Sequence, residues 1–327
     1  MAKNYRLDRV DLGPAWDAFV GASEEGTVFS TSTYLANTGC RLGLYHCYNA
    51  NELRAAVSVL ESPDGENAIM DDLVIYGGLF FGPPMNDQSR SQRISERFDV
   101  ATFITAALAN RYQAISFALA PSVTDVRPFL WHNYGKAENL FVVDVRYTSY
   151  VDIADFKLAE KPEDIAVYVN ASMARRQQIR YARRDGVVTE ASENVGAFID
   201  YYRMTMERQG VTVEENNLDQ MALLVTGLIN AGVARMFVSR TREGAPGSIA
   251  VYTFDNKRAY YLFGANDPAL RDTPVGTAVL WDAFHALAGE GITQIDLEGV
   301  NSPSRGWFKL SFGGTLVPYF KLNWSRQ

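Results

Sequence analysis

AYYLFGANDPALRDTPVGTAVLWDAFHALAGEGITQIDLEGV, residues 259–300, is the stretch whose reading decides the fold. It opens on an aromatic and apolar run with strand character over 258–264. It then crosses a loop built from Asn, Asp, Pro and Arg, and enters a long apolar pattern of helical spacing over 275–289. A second apolar run over 292–298 closes the stretch. Strand, loop, helix and strand in that order describe an element of a mixed sheet packed by a helix. The loop delivers the chain to a helix N-terminus, where unpaired N–H groups and the positive end of the helix dipole can meet a phosphate or a carboxylate.

Upstream, runs at 234–240 and 247–254 read as further strands. The segments 169–187, 193–211 and 218–233 read as helices, the first capped by Ser172 or Asn170 and closed by Gly186. The first half has a related order. Two short helices fall within 13–38 and strands at 52–62 and 67–84 flank the turn PDGEN; a helix at 89–112, a strand at 114–121 and a strand with a crossover over 139–153 follow. The shared order suggests an internal duplication and two α/β or α+β units, each on a partly antiparallel sheet, one over 1–152 and one over 153–315.

Composition narrows the classes. Of 327 residues, 47% are hydrophobic, which supplies a packed core and argues against disorder. The net charge of -7 gives no global attraction to nucleic acid. Cys40 and Cys47 match no zinc or redox spacing, and His46, His132 and His285 are the only histidines, so no metal is expected. The N-terminus lacks signal-peptide character and no apolar run is long enough to cross a bilayer, which predicts a cytoplasmic protein with no transmembrane segment. Oligomeric state is not legible.

GWFKLSFGG, residues 306–314, places Lys309 among bulky apolar neighbours. A lysine there either snorkels to water along Trp307 or takes part in chemistry, where it can stabilise a developing oxyanion or, once desolvated, act as a base. Asp296 and Glu298 alternate with apolar residues on the preceding strand, so both carboxylates share a face and either could accept a proton; equally, one could cap a loop or neutralise Arg305. Arg176, Arg180, Arg183 and Arg184 fall at i, i+4, i+7 and i+8 and, with Arg175, form a basic helix. It suits phosphates, or forms a solvated face paired with Asp185 and Glu190.

Taken together these segments resemble the FemABX peptidyltransferases and their shorter GNAT-like relatives. GTVFSTSTYL, VIYGGLFFGP, RRQQIRYARRDGV, the stretch 259–300 and GWFKLSFGG carry the resemblance, which is strong after about Ala171. It implies two tandem GNAT-like domains with an active crevice between them and a C-terminal segment, 316–327, that returns to the first. It implies transfer of an acyl or aminoacyl group to an amine of a cell-envelope precursor, a peptidoglycan peptide or an amino sugar, with Phe308 and Lys309 matching the family's Phe-Lys pair at the reaction centre. Tyr76, Gly77 and Gly78, with Arg176, Arg180, Tyr261 and Asn301, would hold a small-molecule or nucleotide-linked acceptor. Arg271-x-x-Pro274-x-Gly276 approximates the Arg-x-x-Gly-x-Gly loop by which GNAT enzymes hold coenzyme A, so Arg271, Gly276 and Thr277 form the donor side. Pro274 replaces a glycine and removes one N–H. No cofactor is bound permanently, and the donor is aminoacyl-tRNA or acyl-CoA. The chain lacks the long charged coiled-coil arm that larger members carry for tRNA. The alternatives are an acyl-CoA-dependent acetyltransferase and a non-catalytic binding protein on a duplicated GNAT fold.

Overall fold

The computed structural model describes residues 4–85 and 88–327. The chain divides into a first unit, Met1–Arg146 with Pro318–Gln327, and a second, Tyr147–Val317. The division falls six residues before the expected 152/153 boundary, inside a strand, and the last ten residues belong to the first unit.

Seven strands precede the second unit's helices: β1 (Tyr5–Arg9), β2 (Arg41–Asn49), β3 (Glu52–Glu61), β4 (Asn67–Ile69), β5 (Gly78–Phe81), β6 (Ala114–Ala118) and β7 (Val142–Asp152). In the first unit β1, β2, β3 and β4 run antiparallel in that order. β4 lies parallel to β6, and the C-terminal strand Thr315–Ser325 pairs antiparallel with β6, Leu322 opposite Phe117. The helix Arg90–Arg111 covers this sheet with Val100, Ile104 and Leu108. Its start is fixed by a capping box, Ser89 with Gln92, which satisfies two backbone N–H groups the helix itself leaves open.

Two strands here are not evident in the sequence pattern, β1 and β2, and one is shorter than the pattern predicts. The segment 67–84 is two short strands, because Asp71 turns the chain: its Oδ1 accepts the Leu73 N–H at 2.8 Å. Gly78 then adopts φ 76°, where a Cβ would also lie 2.6 Å from the Phe117 ring.

The second unit adds β8 (Val188–Ala191), β9 (Ala234–Arg240), β10 (Pro246–Phe254), β11 (Ala259–Asn266) and β12 (Gln294–Asp296). Its sheet runs β7-β12-β11-β10-β9-β8. β12 is parallel to β11, so the connection must cross over the sheet, and the helix Val275–Gly289 does so. Val279, Phe284 and Leu287 of that helix are fully buried, in one core with Tyr252, Ala250 and Ile295.

The feature that makes a site is a seam. β11 pairs with β10 along almost its whole length, but with β12 only at Ala259 and Tyr260. The chain beyond Asp296 stays with β7 instead: Leu297 N–H donates to Ser149 O and Val300 N–H to Tyr147 O. From Tyr261 onward β11 therefore has no strand beside it on that side among the described residues, and the expected strand 292–298 ends at Asp296. The segment GWFKL is not extended either. It lies in the helix Pro303–Leu310, whose proline sits in the first turn, where its missing N–H costs nothing.

Candidate functional site

The seam opens into a cleft of about 850 Å³. Its wall includes Tyr261 to Gly264 of β11, the start of the helix Val275–Gly289, and Arg305, Phe308 and Lys309 of the helix Pro303–Leu310. All of its lining residues belong to the second unit.

Lys309 is half-buried. Its Nζ donates to Gly299 O at 3.3 Å and lies 5.3 Å from the centre of the Tyr261 ring. Behind it, Glu298 is 4% exposed, and its Oε1 has no hydrogen-bond partner among the described residues. Burial raises the Glu298 carboxyl well above the ordinary carboxylate range; Lys309 opposes that rise and Asp296 adds to it. Burial in turn lowers the Lys309 ammonium, with Glu298 opposing. The Tyr261 phenol is raised, by burial first and then by Glu298.

The placement of Glu298 is a backbone matter. It sits at φ 56°, the left-handed region that a residue with a side chain seldom occupies. Asp296 holds it there, its Oδ1 accepting the Glu298 N–H at 2.7 Å as well as the Thr148 hydroxyl. The two carboxylates, left undivided between base and positioning group by the sequence, differ here: Asp296 is engaged by these donors, while Glu298 Oε1 has no hydrogen-bond partner among the described residues.

Arg175 forms the other wall. Its guanidinium packs in the corner of the edge-on ring pair Phe308 and Phe312, 4.4 and 4.5 Å from their centres. Nε donates to Ser311 Oγ at 2.9 Å and Nη1 to Thr277 Oγ1. Burial pushes its pKa down to about 10.

The cleft thus gathers Lys309, Phe308, Tyr261, Arg271, Gly276 and Thr277 of the expected residues. Others lie elsewhere. Tyr76 is 1% exposed and packed edge-on against Phe29 and Tyr319 in the first unit. Gly77 bridges to Leu119, and Gly78 is needed for its positive φ and the nearby Phe117 ring. This trio is core structure. Arg176 and Arg180 do not line the cleft; Arg180 donates to the Tyr168 hydroxyl. Further along that helix, Arg183 pairs with Asp282 and Arg184 with Asp185, so these two are an ion-paired face. Asn301 exchanges hydrogen bonds with the Tyr147 backbone through both ends of its amide and extends the β7 ladder.

Sequence reasoning placed Arg175 in the basic helix and Arg305 beside the two carboxylates without setting either in a cleft, and it passed over Tyr202 and Arg208. A signal for Arg175 existed. It falls at i relative to buried Ile179 and Ala182 at i+4 and i+7, so it is an arginine on the apolar stripe of its helix.

Comparison with known proteins agrees with this geometry. Residues 171–305 match the family model of the acetyltransferase (GNAT) domain, which takes in Arg175, Tyr261 and Glu298 and stops short of Lys309. No curated protein sequence matches. Among solved structures, the chain is similar to FemX, with TM-score 0.63 and 14% identity over 96% of each chain. A GNAT-family acetyltransferase from Colwellia psychrerythraea has TM-score 0.54 and 11% identity, covering 98% of this chain and all of its own. A tandem GNAT protein from the clavulanic acid biosynthesis pathway has TM-score 0.54 and 10% identity over 99% of this chain and 98% of its own. Residues 171–305 thus match a GNAT domain, and the chain as a whole has a fold similar to that of FemX.

Proposed function

We propose that the protein is an N-acyltransferase that joins an acyl or aminoacyl group to an amine of a cell-envelope precursor, with the chemistry in the second unit's cleft. The observation that carries this reading is a half-buried lysine on the wall of an open cleft, backed by a buried glutamate with a free oxygen. In the reaction the amine nitrogen attacks the carbonyl carbon of an activated ester or thioester. Charge develops on the carbonyl oxygen, and the Lys309 ammonium donates a hydrogen bond to it. The carbon–oxygen or carbon–sulfur bond then breaks and the leaving group departs. The proton lost by the amine passes to the Glu298 carboxylate, whose affinity for a proton is raised by burial, and from there to the leaving group. Asp296 and Thr148 orient Glu298, and Phe308 shapes the wall beside Lys309. Holding donor and acceptor together in the cleft removes much of the entropic cost of a bimolecular step.

The donor in this reading is aminoacyl-tRNA. A second reading, an acyl-CoA donor, is favoured by Arg271 and Gly276 lining the same cleft as Lys309. In either case Arg271, Gly276 and Thr277 stand on the donor side. The open mouth of the cleft and the burial of Lys309 favour an enzyme over a binding protein on this fold.

The test supplies a nucleotide-linked peptidoglycan peptide as acceptor, with aminoacyl-tRNA in one reaction and acetyl-CoA in another. A mass gain of one acyl group on the acceptor amine supports the proposal. Loss of that gain on ribonuclease treatment assigns the donor to tRNA, and its persistence with acetyl-CoA alone assigns it to CoA. No gain with either donor removes the proposal.

A further inference from the structure

The first unit carries a surface that its own core does not explain. The apolar stripe of the helix Arg90–Arg111 covers the sheet with Leu108, Ile104 and Ala101, then continues toward the helix start through Phe98 to Ile94. Ile94 is 46% exposed. Phe98 packs edge-on against Trp131, ring centres 5.3 Å apart, and Trp131 is 52% exposed. Leu130, at the end of the short helix Arg127–Leu130, is exposed beside it. In the turn that follows, the Tyr134 N–H donates to Trp131 O at 3.1 Å and the Tyr134 side chain is 82% exposed. Scattered apolar residues on a surface need no explanation, but a contiguous group of large ones marks a place of contact.

The charge around these side chains is basic. The Arg127 guanidinium lies 5.2 Å from the centre of the Phe98 ring and 5.6 Å from that of Trp131, and Asp125 balances it. Lys136 reaches back to the same turn, its Nζ donating to Asn133 Oδ1 at 3.3 Å; Glu138 is the nearby carboxylate of that loop. Arg90 opens the long helix one turn before Ile94, with Arg93 beside it. These two arginines stand where their own helix disfavours them. A helix N-terminus is the positive end of the dipole and favours acids, yet the first turn here has no acidic residue. Neither Arg90 nor Arg93 has an ion-pair partner among the described residues, whereas Arg97 on the same helix pairs with Glu25. Cations so placed gain when an anion approaches, and they form a local basic face in a chain of net charge -7.

Trp and Tyr beside aliphatic side chains, flanked by Arg and Lys, suit the boundary between lipid headgroups and acyl chains. The rings and aliphatic groups enter that layer while the cations meet anionic headgroups. A nucleic acid would engage the cations and rings and leave Ile94 and Leu130 without a role. No helix among the described residues is long and apolar enough to cross a membrane, so contact of this kind is peripheral. We propose that this face of the first unit docks the protein on an anionic lipid bilayer. The inference does not rest on the acyltransferase reading, because vesicle binding is measured without donor or acceptor.

Sedimentation of the full chain with phosphatidylcholine vesicles, with and without phosphatidylglycerol, tests it. The protein should sediment with the vesicles that contain phosphatidylglycerol, less so as salt is raised, and stay in solution with phosphatidylcholine alone. Trp131→Ser combined with Tyr134→Ser should weaken that binding about tenfold or more. Arg90→Gln and Lys136→Gln should each weaken it about fivefold. Leu223→Ser, at an exposed apolar position of the second unit, should match the wild type. Absence of wild-type binding to phosphatidylglycerol vesicles overturns the proposal, as does equal binding to phosphatidylcholine alone. Undiminished binding by a folded Trp131→Ser, Tyr134→Ser variant overturns it too. Should that variant fail to fold, Tyr134→Ser with Lys136→Gln decides, since both side chains are exposed: undiminished binding contradicts the docking face and weakened binding upholds it. Dimerisation that Trp131→Ser abolishes, with no vesicle binding, assigns the face to a second copy of the chain and overturns the proposal; binding to RNA and to no vesicle does the same.

Discussion

Glu61 in the first unit and Glu298 in the second are both buried carboxylates at the end of a strand, and their surroundings are opposite. Glu61 is shut off from solvent and receives Arg9 and Arg41 at 2.9 Å each, Arg111 at 3.3 Å, and the Tyr112 hydroxyl at 2.8 Å. These donors outweigh its burial and hold its carboxyl down at about 2. Glu298 has one cation near it, Lys309, and keeps an oxygen with no hydrogen-bond partner among the described residues; its carboxyl is raised. Arg175 repeats the second pattern with the sign reversed. The first unit satisfies its buried carboxylate with donors that tie distant segments together, while the second leaves Glu298 with an oxygen that has no partner among the described residues. Unsatisfied buried groups cost stability, and they persist where function needs them.

The comparison can be broken in several places. The largest effect is expected for Lys309→Met, which removes the proposed oxyanion donor. Acyl transfer should fall about a hundredfold to a thousandfold with the circular dichroism spectrum unchanged. Full turnover in a folded Lys309→Met would take Lys309 out of the reaction.

Next in size, Glu61→Gln should lower the unfolding free energy at neutral pH by about 2–4 kcal/mol, because it leaves three arginines facing one another without their anion. The half-exposed arginines keep the cost toward the lower end of that range. The pH dependence has a definite sign. A carboxyl depressed in the folded state contributes fully above its ordinary value of 4.5 and loses that contribution as pH falls toward about 2. The gap between wild type and Glu61→Gln, followed by urea titration, should therefore close across that interval. A gap independent of pH would show that Glu61 is not held as an anion.

A smaller effect tests whether the aromatic-Gly-Gly segment is scaffold. Gly78→Ala places a Cβ at φ 76° and 2.6 Å from the Phe117 ring, and should cost about 1–2 kcal/mol in thermal or chemical unfolding. Unaltered stability would reopen a role for Tyr76 to Gly78 in holding the acceptor.

Much of the fold is legible where periodicity and punctuation agree, as in 259–300, where strand, loop and helix follow each other with clear boundaries. β1 and β2 are not, because YRLDR and RLGLYHCYN mix charged and apolar residues without a strong local signal, and their pairing with each other across 36 residues or more is what makes them strands. The site is partly legible. Lys309, Tyr261, Arg271 and Gly276 converge because one loop and two short segments border the same seam. Arg175 is legible only as one member of the basic helix, because the shared solvated face groups 176, 180, 183 and 184 while Arg175 lies on the apolar stripe. The difference between Asp296 and Glu298 cannot be read from their spacing, since it depends on a positive φ that a strand pattern does not reveal. Glu61 gives no local sign at all: its partners lie 52, 20 and 50 residues away.

The most direct test of the contrast is the unfolding free energy of Glu298→Gln at neutral pH, measured beside Glu61→Gln. If the second unit holds its buried carboxylate for chemistry, Glu298→Gln should differ from the wild type by less than about 1 kcal/mol, since the isosteric amide removes a charge that burial disfavours. A loss as large as that of Glu61→Gln would make Glu298 and Lys309 a structural ion pair and contradict the account.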